Sequence, residues 1–348
     1  MAVVTNHTQP ASFYTLVDPK PEQLGTSVEA FLSQLPGPTH IVIPGHDASR
    51  RRLLVSLIHG NEPSGLYAIY KFIQNGITPA VDLHCVLPSV IAAQAQPLLS
   101  HRMLPEHRDL NRCFRPPFTE QSESQLAQQI MSLLDAIDPE AVVDMHNTSG
   151  SGPDFAVTTF VHDRHNAVLS LFTQRSVLTE IRLGALMELS TVERPIVTVE
   201  CGGSHDHESH AIAFHGLQNF AQTVDIFQNH AINLDIYQHP IRVELQPEAT
   251  VGYDDEQLAD VSLTLVKHIE EFNFGVVDNN TVLGFLPSAN FACLRANTSQ
   301  GLVDIRQYFT LDNGRLRPTR PLKLFMITTN SQIASSDCLF YFVTLGNP

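Results

Sequence analysis

Three short segments of the chain carry residues able to hold a divalent metal ion and put it to use. They are His59-Gly60-Asn61-Glu62, Asp144-Met145-His146-Asn147 and Glu200-Cys201-Gly202-Gly203. Each follows an apolar run of strand length: Leu53–Ile58, Ala141–Val143 and Ile196–Val199. Two histidines and one carboxylate make a three-ligand zinc shell with a fourth position open to water. That open corner separates a catalytic zinc from a structural one. A second carboxylate arriving from another strand end could take the proton from the water.

Each segment alone is ordinary. A His and a Glu three apart occur by chance in many proteins, and the Glu could simply complement the positive end of a helix. A strand-end His is commonly a satisfied, partly buried side chain. Glu200 alone could be a strand-end carboxylate facing solvent. Their joint occurrence carries the weight, because ligands in open α/β sheets bind beyond the carboxyl ends of the strands. Asp144 shares a strand face with His146 and is a natural acceptor for its second ring nitrogen.

The elements that must position these residues read as an α/β sheet with helices on both faces. Strand-like and helix-like stretches alternate from about residue 38 to 230. Ser64–Gln74 is predicted helical and Val81–Leu87 a strand. Ser122–Ile137 has helical spacing, with Leu126, Ile130, Leu133, Leu134 and Ile137 on one face. Strands at Ala141–Asp144, Phe155–Val161 and Ile196–Val199 follow, with helices near Asn166–Phe172 and Ala211–Gln228. Beyond Asn233 the chain turns β-rich. Strands are predicted at His239–Leu245, Val282–Leu286, Phe291–Ala296, Leu302–Phe309, Leu322–Thr329 and Leu339–Val343. One helix is expected near Glu256–Glu271 and a hairpin turn at Asp312-Asn313-Gly314. The expected division is an N-terminal extension (1–37, with a helix near Val28–Leu35), a catalytic domain (38–232) and a smaller β-rich C-terminal domain (233–348).

The chain has 348 residues, 43% hydrophobic and 16% charged, enough to bury a sizeable core. With 36 acidic against 21 basic residues its formal charge is -15, which argues against nucleic acid or an anionic membrane as partner. Cys85, Cys113, Cys201, Cys293 and Cys338 form no CxxC pair, so a reducing, cytoplasmic compartment is expected. Neither a signal peptide nor a run of membrane-spanning length is visible. For assembly, a homodimer is the expectation.

The order HGNEPSG, DLNR, DMHN and VECGG resembles the succinylglutamate desuccinylase/aspartoacylase family, within the wider zinc carboxypeptidase-like group. The similarity spans about residues 50–205. It implies a mixed central sheet of the zinc carboxypeptidase type and one Zn2+ per chain, bound by His59, Glu62 and His146. It implies that Glu200 is general base and then acid, and that Asn111 and Arg112 hold the substrate carboxylate. A guanidinium can grip a carboxylate through two parallel hydrogen bonds, and an amide can add a third. One departure stands out. The family usually carries another Arg, for the oxyanion, five residues before the Asp of DLNR, where this chain has Leu104. Arg102 and Arg108 are the nearby substitutes, and Arg102 reaches the metal if the loop is longer by about two residues.

Gly202–His210, rich in His, reads as a pocket-rim loop entering a helix capped by Asp206 or Ser209, with His205 lining the same pocket. Cys201 reads as a small buried residue. The expected function is a zinc-dependent hydrolase of an amide bond, deacylating a small anionic N-acyl amino acid. The alternatives are a metallocarboxypeptidase acting on peptides and a metal-binding protein without turnover.

Overall fold

Apolar residues alternate sides along the central strands and so build two layers. Leu53, Val55, Val142 and Ile196 face one core, while Leu54, Val143, Val197 and Val199 face another. The structure is a computed structural model that describes residues 13–228, 233–287 and 290–345. Its first nine strands are β1 (Tyr14–Val17), β2 (Thr39–Ile43), β3 (Asp47–Ser56), β4 (Val81–Leu87), β5 (Val142–Thr148), β6 (Phe155–Thr158), β7 (Arg175–Leu178), β8 (Ile196–Gly203) and β9 (Asp235–Gln238). They form one sheet in the order β1-β2-β4-β3-β5-β8-β6-β7-β9. β4, β3, β5 and β8 run parallel, while β2 and β6 are antiparallel to their neighbours β4 and β8. The expected mixed sheet is present.

Seven α-helices are described: α1 (Val28–Gln34), α2 (Ser64–Gln74), α3 (Val90–Gln94), α4 (Ser122–Ile137), α5 (Asp163–Leu169), α6 (His207–Gln222) and α7 (Ser331–Ser336). α1, α2 and α6 cover one face of the sheet through Phe31, Leu66, Ile69, Phe72, Leu217 and Phe220. α4 covers the other through Ala127, Ile130, Leu134 and Ile137. A fully buried Leu, Ile or Phe contributes about 1.5–3 kcal/mol as an upper estimate, so α2 and α4 are held by their apolar stripes. Residues 13–37 are woven into this unit: β1 pairs with β2, and α1 enters the same core as α2.

The later strands are β10 (Ile241–Leu245), β11 (Val251–Tyr253), β12 (Leu263–Leu265), β13 (Val276–Val277), β14 (Gly284–Phe285), β15 (Leu294–Thr298), β16 (Gly301–Val303), β17 (Phe309–Asp312), β18 (Arg315–Pro318), β19 (Leu322–Phe325) and β20 (Phe340–Thr344). They make a six-stranded and a five-stranded sheet that share one core, built on Val243, Leu263, Leu265, Phe309, Phe340 and Phe342. The β-rich C-terminal part is therefore as expected, with three local corrections. The helix expected near Glu256–Glu271 is absent: Leu263, Thr264 and Leu265 are buried in β12, between β11 and β14, and only a 3-10 turn follows at Ile269–Phe272. Burial on both faces overrides the helical spacing there. The strand expected over Leu302–Phe309 is broken, because Asp304 accepts from the Arg306 N–H and caps a 3-10 turn. α7 was not foreseen; the Asn330 side chain starts it by accepting from the Gln332 and Ile333 N–H groups. The hairpin at Asn313-Gly314 is present, with positive φ at both residues as the right-handed twist of the strands requires.

The C-terminal sheets dock over β6 and β7. Phe155 of β6 packs against Phe274 and Phe325, and Glu270 accepts from the Ser151 N–H at 2.9 Å.

Candidate active site

β3, β5 and β8 are adjacent and parallel, so their carboxyl ends open at one edge of the sheet. The chain leaves β3 through Leu57, a buried residue in the left-handed region (φ 52°). Two residues on stands His59. A side chain at Gly60 would bring its Cβ to 2.6 Å from the Ala93 nitrogen and 2.7 Å from the His101 carbonyl. Close approach, rather than a sharp turn, therefore requires glycine. Glu62 follows, and then α2, whose first N–H (Ser64) donates to Asn147 Oδ1 at 2.9 Å. The same Asn147 amide donates to Ser64 Oγ and to the Gly202 carbonyl, tying α2, β5 and β8 together.

β5 and β8 run further than their apolar cores suggest, through His146 and Glu200, which are register partners. Facing residues in a parallel ladder present their side chains to the same side. His146 and Glu200 thus point together, beside the loop that carries His59 and Glu62.

The structure brings His59, Glu62 and His146 together, all buried, with one potential ligand atom of each within 4.8 Å of the others. Nδ1 of His59 is 2.8 Å from Glu62 Oε1, and Nδ1 of His146 is 2.6 Å from Oε2. Both rings turn the same nitrogen to one carboxylate. Of the opposite nitrogens, His59 Nε2 is hydrogen-bonded to Asp109 Oδ1 at 2.8 Å, and His146 Nε2 lies 3.0 Å from Asp144 Oδ2 without hydrogen-bond geometry. Burial alone would raise the Glu62 carboxyl, but the two imidazoles outweigh it and hold it well below the usual range. Burial would lower His146; the Asp144 and Glu62 carboxylates raise it instead. This donor set fits a divalent transition ion: two imidazole nitrogens and a carboxylate, with His59 oriented by a second acid and Asp144 beside His146.

Glu200 is buried, and its Oε2 has no hydrogen-bond partner. Burial pushes its carboxyl up to about 7, reinforced by the Glu62 charge and opposed by His146 and His59. A carboxyl poised there can accept and return a proton near neutrality.

Arg102 lies against the cluster. Its Nη1 donates to Glu62 Oε1 at 3.1 Å and its Nη2 to Asp109 Oδ2 at 2.9 Å. Asn111 is buried, and its Oδ1 accepts from the Leu186 N–H. Arg112 donates through Nη1 to the Asn111 carbonyl and through Nη2 to Asp337 Oδ1 at 3.2 Å. Asp337 comes from the C-terminal part and also accepts from Arg242 at 2.6 Å. Asn111, Arg112, Glu200 and Asp337 line one cavity of about 100 Å³ between the main sheet and the C-terminal sheets.

Other candidates fall elsewhere. Leu104 and Arg108 line a separate cavity of about 320 Å³ that touches none of His59, Glu62, His146 and Glu200. Arg108 bonds there to Gln121. His205 is exposed and does not line the cavity beside Glu200, because β8 continues to Gly203 and the turn after it leads outward. Asp206 stands before α6 without a side-chain cap bond. His210 is held by Ser64 Oγ and stacks on Tyr67. Cys201 is fully buried, and burial pushes its thiol up, away from nucleophile chemistry. Two participants escaped sequence reasoning. Asp109 was visible only as a turn residue of the DLNR segment, and Asp337 carried no signal because its partner Arg112 is far away in the chain.

No helix among the described residues is long and apolar enough to cross a membrane. Among curated proteins, none matches this sequence. Solved structures share the fold. A succinylglutamate desuccinylase/aspartoacylase from Rhodobacter sphaeroides is 14% identical, with 87% of this chain and 88% of that chain covered and a TM-score of 0.55. The ectoine utilization protein EutE (DoeB) from Ruegeria pomeroyi, solved with product bound, is 18% identical with 88% of each chain covered and a TM-score of 0.53. A succinylglutamate desuccinylase from Vibrio cholerae is 15% identical, covering 82% of this chain and 89% of its own, with a TM-score of 0.51. The succinylglutamate desuccinylase/aspartoacylase catalytic-domain profile matches residues 48–224, just over half of the sequence and the part that carries the whole His-Glu-His cluster and Glu200. The chain belongs to the succinylglutamate desuccinylase/aspartoacylase family of hydrolases.

Proposed function

We propose that this protein is a zinc-dependent amidohydrolase that removes the acyl group from a small N-acyl amino acid. The supporting observation is the meeting of two imidazole Nδ1 atoms on one buried carboxylate, beside a second buried glutamate with an unpartnered oxygen.

His59, Glu62 and His146 would hold one zinc per chain, which when bound would supply Lewis-acid polarisation of the scissile carbonyl and lower the pKa of a water. Glu200 takes the proton of the attacking water and returns it to the amine nitrogen as the C–N bond breaks. Arg102 offers its guanidinium to the charge that develops on the carbonyl oxygen, in the role the family's usual arginine would have at position 104. Oδ1 of Asn111 is committed to the Leu186 N–H, which leaves the side-chain amide N–H groups for a substrate carboxylate beside Arg112. Asp109 fixes the orientation of the His59 imidazole, and Asp144 lies beside that of His146. In this scheme the nine-stranded sheet, which takes in β1 before residue 38 and β9 after residue 232, forms the catalytic unit with its helices, and the sheets of β10–β20 roof it. The five cysteines are unpaired, consistent with a cytoplasmic setting, and no nucleic-acid partner is invoked.

The small cavity under the roof favours N-acyl amino acids over peptides. The zinc-loaded protein should hydrolyse members of a panel of N-acyl amino acids and leave C-terminal dipeptides intact. Turnover of dipeptides alone would make it a carboxypeptidase. Zinc binding with no turnover of either class would leave a metal-binding protein.

A further inference from the structure

The cavity that contains Arg112 has a polar end, with Asn111, Glu200 and Asp337, and a largely apolar remainder. Val157, Val177, Ile181, Leu183, Met187 and Phe325 form its apolar side, from β6, β7, the segment after β7 and the C-terminal sheets. Apart from Glu200, the proposed base, its acids are already engaged. Glu188 Oε1 accepts from the N–H groups of Leu183, Gly184 and Ala185, and Asp337 is held by Arg112 and Arg242. Among the described residues that line the cavity, Arg112 is the one cation. At roughly 10–15 Å³ for each water centre, a volume of about 100 Å³ holds several waters, or a short side chain in their place.

We infer that the substrate's amino-acid half carries an uncharged aliphatic side chain, seated among Val177, Ile181, Leu183 and Met187, with its single carboxylate on Arg112. The inference rests on the proposed role of Asn111 and Arg112 as the carboxylate clamp, which makes this cavity the amine side of the scissile bond. A second carboxylate, as in an aspartate or glutamate derivative, would enter an apolar wall with no cation to meet it and would lose its hydration. An ammonium would find Glu188 and Asp337 taken and would meet only Glu200, the proposed base. An aliphatic chain would displace waters that have few polar partners.

The test uses the zinc-loaded full chain in two arms. In the first, kcat/KM is compared for the N-acetyl derivatives of leucine, methionine, aspartate, glutamate and lysine. The second measures binding of the same free amino acids by calorimetry, which reads the cavity without turnover. The leucine and methionine derivatives should exceed the acidic and basic ones by about 100-fold or more, and free leucine should bind more tightly than aspartate, glutamate or lysine. Ile181→Arg, a half-buried position that can carry a long cation, should narrow the gap to the acidic derivatives at least about tenfold. Preference for an acidic or basic derivative in either arm would overturn the inference while leaving the deacylase proposal standing. Selective leucine binding without hydrolysis of any derivative would sink the deacylase proposal and keep the cavity assignment. Failure of every amino acid to bind or turn over would overturn the inference as well.

Discussion

His146 and Glu200 face each other across the parallel β5–β8 ladder, two side chains of one sheet face at the mouth of the same cleft. One lies in the proposed metal shell, and the other keeps an unpartnered carboxylate oxygen beside it. Glu200→Gln preserves shape and removes the base. It should lower hydrolysis by about a hundred- to ten-thousand-fold while zinc content stays at the wild-type level. Unchanged turnover, measured by release of free amine, would remove Glu200 from the chemistry.

Asp109 holds the far nitrogen of His59 at 2.8 Å and is itself gripped by Arg102. An acid in that position fixes the tautomer that leaves Nδ1 free for a metal. Asp109→Asn should weaken zinc affinity by about 10- to 100-fold. Competition against a chromogenic chelator measures it, and an unaltered affinity would reduce Asp109 to a turn residue.

Asp337, from the C-terminal part, joins Arg112 of the main unit to Arg242 of β10. Burial would raise its carboxyl, but the surrounding arginines prevail and lower it. Asp337→Asn leaves Arg112 short of its counter-charge and Arg242 with Glu244 alone, and should destabilise the fold by about 1–3 kcal/mol. Denaturant unfolding reads this as a lowered midpoint; no change would show that the arginines find other partners.

Acid sensitivity should come in part from histidines far from the cleft. Burial lowers His165, which bonds Ser190 Oγ, to about 4, and lowers His40, 2.9 Å from His84, to about 4 as well. Each is neutral when folded and has an ordinary pKa near 6.5 when unfolded. Their stabilising contribution is therefore full above about pH 6.5 and falls as pH drops towards 4. The slope is at most about 1.4 kcal/mol per pH unit for each residue. Thermal unfolding should show a lower midpoint at pH 5 than at pH 7.5, and His165→Gln should shrink that difference. An equal difference in the variant would assign the acid sensitivity to other groups.

His59, Glu62, His146 and Glu200 could be picked out of the sequence because each follows a run of buried strand residues. A polar residue at such a place is exposed to the end of a sheet and little else. The α4 stripe of Ile130, Leu134 and Ile137 was equally plain, since one periodicity and one buried face agree there. The C-terminal part was harder. β12 is only three residues long, and its burial comes from strands distant in sequence, so local spacing pointed to a helix. Arg102 could be suspected only through the missing arginine at position 104. Asp337 could not be found at all, because its role depends on a contact between two parts of the fold.

The convergence of three side chains on one ion is tested most directly by metal analysis of the purified protein. Elemental quantification should find about one zinc per chain in the wild type and almost none in His59→Ala or His146→Ala. Removing zinc from the wild type with a chelator should abolish hydrolysis, and adding it back should restore it. A metal-free protein that hydrolyses its substrate at the full rate, or alanine variants that keep a full equivalent of zinc, would contradict the account.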